Sequence, residues 1–191
     1  MYPVDGGQIL FNGRDITSLS PPHKVARLGL ARTFQVVKPL AGLSVVDNVV
    51  AGAVERADSI GQARQKAGEI VHDLGLERYA NTMAGSLTLA GRKRLELARA
   101  LATEPELLLL DEVMAGLNPT EVDEAIKLIR GVAQRGVTLL VIEHVMKAVM
   151  TLADRIVTIH HGVKIFDGTP QEAGRDEAVI KAYLGKEFNL C

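Results

Sequence analysis

Cysteine is almost missing from this chain: Cys191, the last of its 191 residues, is the only one. That excludes an internal disulfide, leaves no thiols at metal-ligand spacing, and suits a reducing compartment. No apolar run approaches the roughly 20 residues that would span a bilayer. The opening residues, with Asp5, Gly6 and Gly7 among them, lack the charged-then-apolar shape of a signal peptide. The expectation is a soluble chain whose membrane role, if it has one, comes through a partner. Neither sign of charge prevails, since 22 basic and 23 acidic residues leave a formal net charge of −1. The basic residues are scattered rather than blocked, so nucleic acid finds no electrostatic footprint here. A chain of this length can bury a sizeable core and is most simply one domain with room for an inserted lobe.

Against these absences stands Glu106-Leu107-Leu108-Leu109-Leu110-Asp111-Glu112. Consecutive leucines before two carboxylates suggest a strand buried on both faces that meets solvent at the edge of a parallel sheet. Open α/β sheets deliver functional side chains at the carboxyl ends of their strands, where an acid can hold a magnesium ion beside a phosphate. A strand stopped by two solvated acids would look the same, so the segment alone leaves both readings open. Two neighbours favour the functional one: Gly116-Leu117-Asn118-Pro119, and Glu143-His144 at the end of the apolar run 137–142. Both runs then present polar residues on one sheet edge.

In chain order, 8–11 reads as a short strand with Asn12-Gly13 as its turn. Ser20 and Pro21 suit the N-cap and first position of a helix ending near Gly29. A strand over 30–34 leaves Gln35 where it emerges, as a surface loop residue or as a ligand to metal or attacking water. Ser44 and Asp47 cap a first helix, and a second runs over 60–74 with Gly75 as its stop. A third begins near Ala90 or Gly91 and carries Arg92, Lys93, Arg94 and Arg99, expected as a solvated or salt-bridged face. No strand is expected over 44–102, so this block reads as a helical lobe inserted into an α/β core. Pro119 starts a helix that runs to about Arg135, with Gly136 as its stop, and 137–142 is the next buried strand. A hairpin across His161-Gly162 follows, then a helix opened by Thr169-Pro170 and a last one capped by Asp176.

Taken together these residues resemble the ATP-binding subunit of an ABC transporter over essentially the whole chain. The resemblance implies an α/β fold: a P-loop NTPase-like (RecA-like) core with an inserted helical subdomain, its N-terminal strand and Walker A loop missing. Residues 1–43 and 103–170 would form the core, 44–102 the helical subdomain, and 171–191 a helical tail. Asp111 would bind magnesium and Glu112 would orient the attacking water. Gln35, in Arg-Thr-Phe-Gln, would be the Q-loop residue beside the metal, and His144 the switch histidine. Gly116 to Pro119 resembles the D-loop, and Thr88, Ala90, Gly91 and Asn118 would contact nucleotide. ATP and Mg2+ are the implied cofactors. The implied partners are transmembrane permease subunits and a second ATP-binding subunit, at the inner face of the membrane. Leu30 to Gln35, Gly116 to Pro119, and Val179 to Gly185 resemble the branched-chain amino-acid importers in particular. The rival is the lipopolysaccharide-export ATPase, which carries Pro where Phe34 stands.

Two departures are expected to matter. The phosphate-binding loop G-x-x-x-x-G-K-[ST] is absent, with no Gly-Lys-Ser or Gly-Lys-Thr anywhere, and residues 2–9 resemble the segment that follows it. Met1 therefore looks like a late start, and the chain on its own is expected to be a poor ATPase. The signature segment L-S-G-G-Q falls on Leu87-Thr88-Leu89-Ala90-Gly91, where Leu89 replaces a glycine, although a one-residue slip would put Ala90-Gly91 on the double glycine. Two functions stay open: an ATPase subunit of an importer, and a non-catalytic module that only docks to a membrane subunit.

Overall fold

The computed structural model describes residues 4–34 and 37–184. It opens with a hairpin of β1 (Leu10–Phe11) and β2 (Arg14–Asp15). Asn12 and Gly13 both take positive φ, 48° and 74°, the two-residue turn that suits the twist of a hairpin. The strand expected over 8–11 is shorter, although Ile16 N–H still donates to the Ile9 carbonyl at 2.9 Å. Helix α1 (Pro22–Arg27) is capped by Pro21 rather than Ser20 and has Pro22, not Pro21, at its first position. A proline there loses no hydrogen bond.

Three helices follow: α2 (Val45–Ala53), α3 (Ile60–Asp73) and α4 (Leu89–Leu101), and every helix or strand between 45 and 101 is helical. Each starts on a hydroxyl, with Ser44, Ser59 and Thr88 accepting from the backbone N–H of Asp47, Gln62 and Gly91. Gly52 lets α2 and α4 touch, since a Cβ there would come within 2.5 Å of the Arg99 carbonyl oxygen.

The central sheet is parallel, in the order β3 (Leu30–Arg32), β4 (Leu107–Asp111), β5 (Thr138–Ile142). Leu30 lies opposite Leu107, and Asp111 opposite Ile142. β3 stops at Arg32 rather than Phe34, with one further ladder bond from Thr33 N–H to the Leu109 carbonyl at 2.9 Å. Helix α5 (Pro119–Gln134) makes the crossover from β4 to β5. Asn118 and Glu121 satisfy each other's backbone N–H at its start, and Gly136, at φ 88°, ends it.

One face of this sheet is sealed. Ala31, Leu108 and Leu110 join Leu95, Leu97, Ala98, Val122, Ile126 and Ile129 in the main core. The other face departs from the expectation of strands buried on both sides. Leu107 and Leu109 are only half-buried, while Leu140 and Ile142 are 52% and 58% exposed. A parallel sheet normally carries helices on both faces, and here the β5 side of one face lies open.

After α6 (Met146–Leu152), β6 (Ile156–His160) and β7 (Val163–Gly168) form an antiparallel hairpin closed by His161 and Gly162 at φ 48° and 79°. Arg155 clamps it through two hydrogen bonds to Asp167, at 2.7 and 2.9 Å. Short helices α7 (Pro170–Ala173) and α8 (Glu177–Val179) start at Thr169 and Asp176, and a π-helical turn over Ile180–Leu184 follows. Among the described residues no helix is long and apolar enough to cross a membrane.

Candidate functional site at the carboxyl ends of β4 and β5

Asp111 ends β4, and Glu112 turns the chain away at φ 47°, a left-handed conformation uncommon outside glycine. Its backbone is held on both sides. Glu112 N–H donates to the Ile142 carbonyl at 2.9 Å, and its own carbonyl accepts from Ala115 N–H at 3.2 Å and from the Lys93 ammonium at 3.1 Å. The turn brings the Glu112 carboxylate within 4.0 Å of His144 Nδ1, which follows β5. Asp111, Glu112 and His144, far apart in sequence, thus share one sheet edge because β4 and β5 are parallel neighbours in this register.

Asp111 is not a bare carboxylate. Its Oδ2 accepts from Arg32 Nη2 at 2.7 Å, and its backbone N–H donates to Thr33 Oγ1 at 3.3 Å. Arg32 lies opposite Leu109 on β3, so strand alternation aims it along the same face as Asp111. Glu143 faces the other way, where its Oε1 accepts from Met114 N–H at 2.8 Å and braces the loop after Glu112.

Of the basic residues of α4, expected as a solvated or salt-bridged face, Arg94 forms an ion pair and the other three bond backbone carbonyls. Arg92 Nη2 donates to the Gly85 carbonyl at 2.8 Å, Arg94 pairs with Glu124, and Arg99 Nη1 reaches the Lys38 carbonyl at 3.3 Å. Lys93 points at the sheet. Burial lowers its pKa, opposed by the carboxylates of Glu143, Glu96 and Glu112. Glu96, next along the same side, has its pKa raised by burial while its Oε1 accepts from Phe34 N–H at 2.7 Å. Sequence reasoning missed Arg32, Lys93 and Glu96 as parts of the site, and marked Glu143 only as a strand-end acid beside His144. The signal was present only as Lys93 and Glu96 at i and i+3, a spacing that also fits an ordinary exposed pair.

Gln35 lies outside the described residues. Thr88, Ala90 and Gly91 stand apart from the acidic cluster, lining an open cleft of about 520 Å³ with Asp73, Arg78, Glu124 and Lys127. Neither Asp111, Glu112 nor His144 lines it. Thr88 Oγ1 is engaged as the α4 cap, accepting from Gly91 N–H at 3.2 Å. Leu89 lies against Gly116, where an added Cβ would come within 3.0 Å of its Cδ2. Asn118 uses its side chain to cap α5, accepting from Glu121 N–H at 3.0 Å. Among the described residues no group of three acids, histidines or cysteines converges as a ready cation site.

Residues 1–115 match the family model described as ABC transporter. The chain belongs to the ABC transporter family. A second model, for the branched-chain amino acid ATP-binding cassette transporter, matches 163–189. The ABC chain is 37% identical to the high-affinity branched-chain amino acid transport ATP-binding protein BraF of Pseudomonas aeruginosa, covering 97% of this chain and 78% of BraF. Its identity to LivG of Escherichia coli, which carries the same description, is 35% over the same shares. The lipopolysaccharide export system ATP-binding protein LptB of Escherichia coli is also 35% identical, over 100% of this chain and 79% of LptB. Pairwise identity therefore separates the two types poorly, and the C-terminal match decides for the branched-chain type.

Among solved structures, a nucleotide-free ATP-binding cassette from an ABC transporter superposes with TM-score 0.82 at 26% identity, covering 97% of this chain and 79% of that one. The ADP conformation of the cassette MJ1267 gives 0.81 at 27%, over 95% and 78%. The fold is that of the ABC ATPase cassettes, a family that binds nucleotide. Within these 191 residues the family's Gly-Lys-Ser or Gly-Lys-Thr does not occur.

Proposed function

We propose that this chain is the ATP-binding subunit that powers branched-chain amino-acid import, paired with a second ATP-binding subunit and seated on transmembrane permease subunits at the cytoplasmic face of the membrane. The observation that carries the reading is the approach of the Glu112 carboxylate to His144 at the carboxyl ends of adjacent parallel strands. In that arrangement Glu112 is the base that orients and deprotonates the attacking water, and His144 is positioned to bond the phosphate end. Asp111 and Gln35 would hold Mg2+. A magnesium ion takes one or two protein carboxylates and completes its shell with water and phosphate oxygens, so a lone Asp fits without a ready-made cluster. Thr88, Ala90, Gly91 and Asn118, on a separate surface, would serve the nucleotide of the paired subunit. The division into a core of 1–43 and 103–170, a helical subdomain of 44–102 and a tail of 171–191 belongs to the same reading.

A second reading, a docking module without hydrolysis, draws support from Arg32 occupying Asp111. ATP titration of the purified chain, alone and assembled with permease subunits, separates the two. The chain alone should bind ATP more weakly than micromolar. In an assembly whose chain is extended at its start with a phosphate-binding loop, Glu112→Gln should leave ATP binding largely intact and reduce hydrolysis by roughly 10²-fold or more. Assembly with normal docking and no nucleotide binding would establish the second reading, and an unchanged hydrolysis rate in Glu112→Gln would remove Glu112 as the base.

A further inference from the structure

We infer that Lys93 and Glu96, one turn apart on α4, are positioning residues that fix the main chain on the two sides of the catalytic edge. Lys93 sets the turn carrying Glu112, and Glu96 sets the main chain at Phe34, just beyond β3. The inference deepens the proposed function and rests on the role given there to Glu112.

Three observations carry it. Glu112 stands in a left-handed conformation that a side chain resists, and Lys93 Nζ donates to its carbonyl at 3.1 Å. The Lys93 ammonium is drawn into this place despite a burial cost that three carboxylates, Glu143, Glu96 and Glu112, oppose. A surface lysine would not be held so, because its stem is free to swing into water. On the other side, Glu96 Oε1 accepts from Phe34 N–H at 2.7 Å, and Arg99, three residues on, bonds the Lys38 carbonyl at 3.3 Å. The backbone is thereby tied to α4 at Phe34 and again at Lys38. The same helix begins at Thr88 and Gly91, so one rigid element joins the signature segment to both catalytic loops.

Site-resolved amide exchange on the 191-residue chain tests this without nucleotide. Lys93→Met should speed exchange at Ala115 and Glu112 by about ten-fold or more, and Lys93→Arg should return both to within about three-fold of wild type. Glu96→Ala should speed Phe34 by a similar factor, and Glu96→Gln, which keeps an acceptor oxygen, should not. Ile129→Val, in the buried face of α5, is the control, since it lowers stability without touching either loop. Should Lys93→Met not fold, the same comparison is made in a Glu112→Gly background. Glycine relieves the left-handed turn, so there Lys93→Met should fold and alter Ala115 by less than about three-fold. Rates unchanged in Lys93→Met and Glu96→Ala, or raised as much in Ile129→Val, overturn the inference, as does a Lys93→Met chain that stays unfolded with glycine at 112. Failure of ATP binding or hydrolysis by the permease assembly extended with a phosphate-binding loop would sink the proposed function and leave these exchange rates as they are.

Discussion

Asn48→Ala should unsettle the loop before α2 far more than a surface change would. Asn48 is fully buried, yet every polar atom of its side chain has a partner. Its Oδ1 accepts from Leu40 N–H at 2.9 Å, and its Nδ2 donates to the carbonyls of Leu40, Leu43 and Ser44 at 3.0, 3.3 and 2.9 Å. The carbonyls have second donors, since Leu40 O also accepts from Leu43 N–H, Leu43 O from Ala84 N–H, and Ser44 O from Asn48 N–H. Truncation therefore strands chiefly the Leu40 N–H. An amide left without its acceptor costs about 1–3 kcal/mol, and the small void adds a fraction more. Leu40 is 41% exposed, so water offsets part of the loss, and about 2 kcal/mol is the expected destabilisation. For a domain of this size that lowers Tm by roughly 4–8 °C. Asn48→Asp should be worse at neutral pH, because it turns a donor aimed at three carbonyls into an acceptor, and should recover on acidification as the carboxyl regains a proton. Urea unfolding at several pH values measures both variants. A loss below about 0.5 kcal/mol in Asn48→Ala, or wild-type stability in Asn48→Asp at pH 7, would refute the view that this one side chain shapes the loop.

Arg32→Met frees the Asp111 carboxylate, so binding of Mn2+ to the chain should tighten by about ten-fold as read by paramagnetic relaxation, and an unchanged affinity would show that the guanidinium does not compete there. Leu40 and Leu43 are each 41% exposed and Val37 is half-buried; Val37→Asp with Leu40→Asp should weaken co-purification with the permease subunits more than basal ATP hydrolysis of the assembly, and intact assembly with coupled transport would rule out a docking role for this loop. The Arg155 guanidinium, then the Lys164 ammonium, hold the Asp167 carboxyl well below its ordinary range. A depressed acid adds stability that is present above its unfolded pKa and lost as pH falls through the folded value, so stability should fall less between about pH 4 and pH 2 in Asp167→Asn than in wild type, with equal slopes counting against the clamp.

Much of the fold was legible because its signals are local. Ser44 and Thr169 stand at helix starts, and Gly29, Gly75 and Gly136 take positive φ just beyond helix ends. Those residues act within one turn of themselves, and no tertiary contact is needed to interpret them. The burial of the strands was not legible for the opposite reason. Leu140 and Ile142 have the composition of a doubly covered strand, and whether a second layer lies over them is a property of other residues. Leu139 and Val141, which alternate with them, do pack against the main core. A continuous apolar run therefore records what a strand can bury, and the alternation appears only once one face is found open.

The site divides along the same line. Asp111, Glu112 and His144 announce themselves because carboxyl ends of parallel strands are where such side chains matter, and adjacency of the two strands follows from the crossover through α5. The side chains that set their geometry are hidden in a helix whose charges look like solvent-facing ones. Lys93 and Arg92 are neighbours in sequence and both basic, yet Arg92 bonds the Gly85 carbonyl while Lys93 bonds that of Glu112. A rotation of about 100° per residue separates them, so which one meets the sheet depends on how α4 lies across β4. That placement is fixed by Leu95 and Ala98, both fully buried, and by the Gly52 contact that lets α2 approach the Arg99 carbonyl. The main chain at Glu112 is thus set by apolar packing on the far side of the helix that carries Lys93.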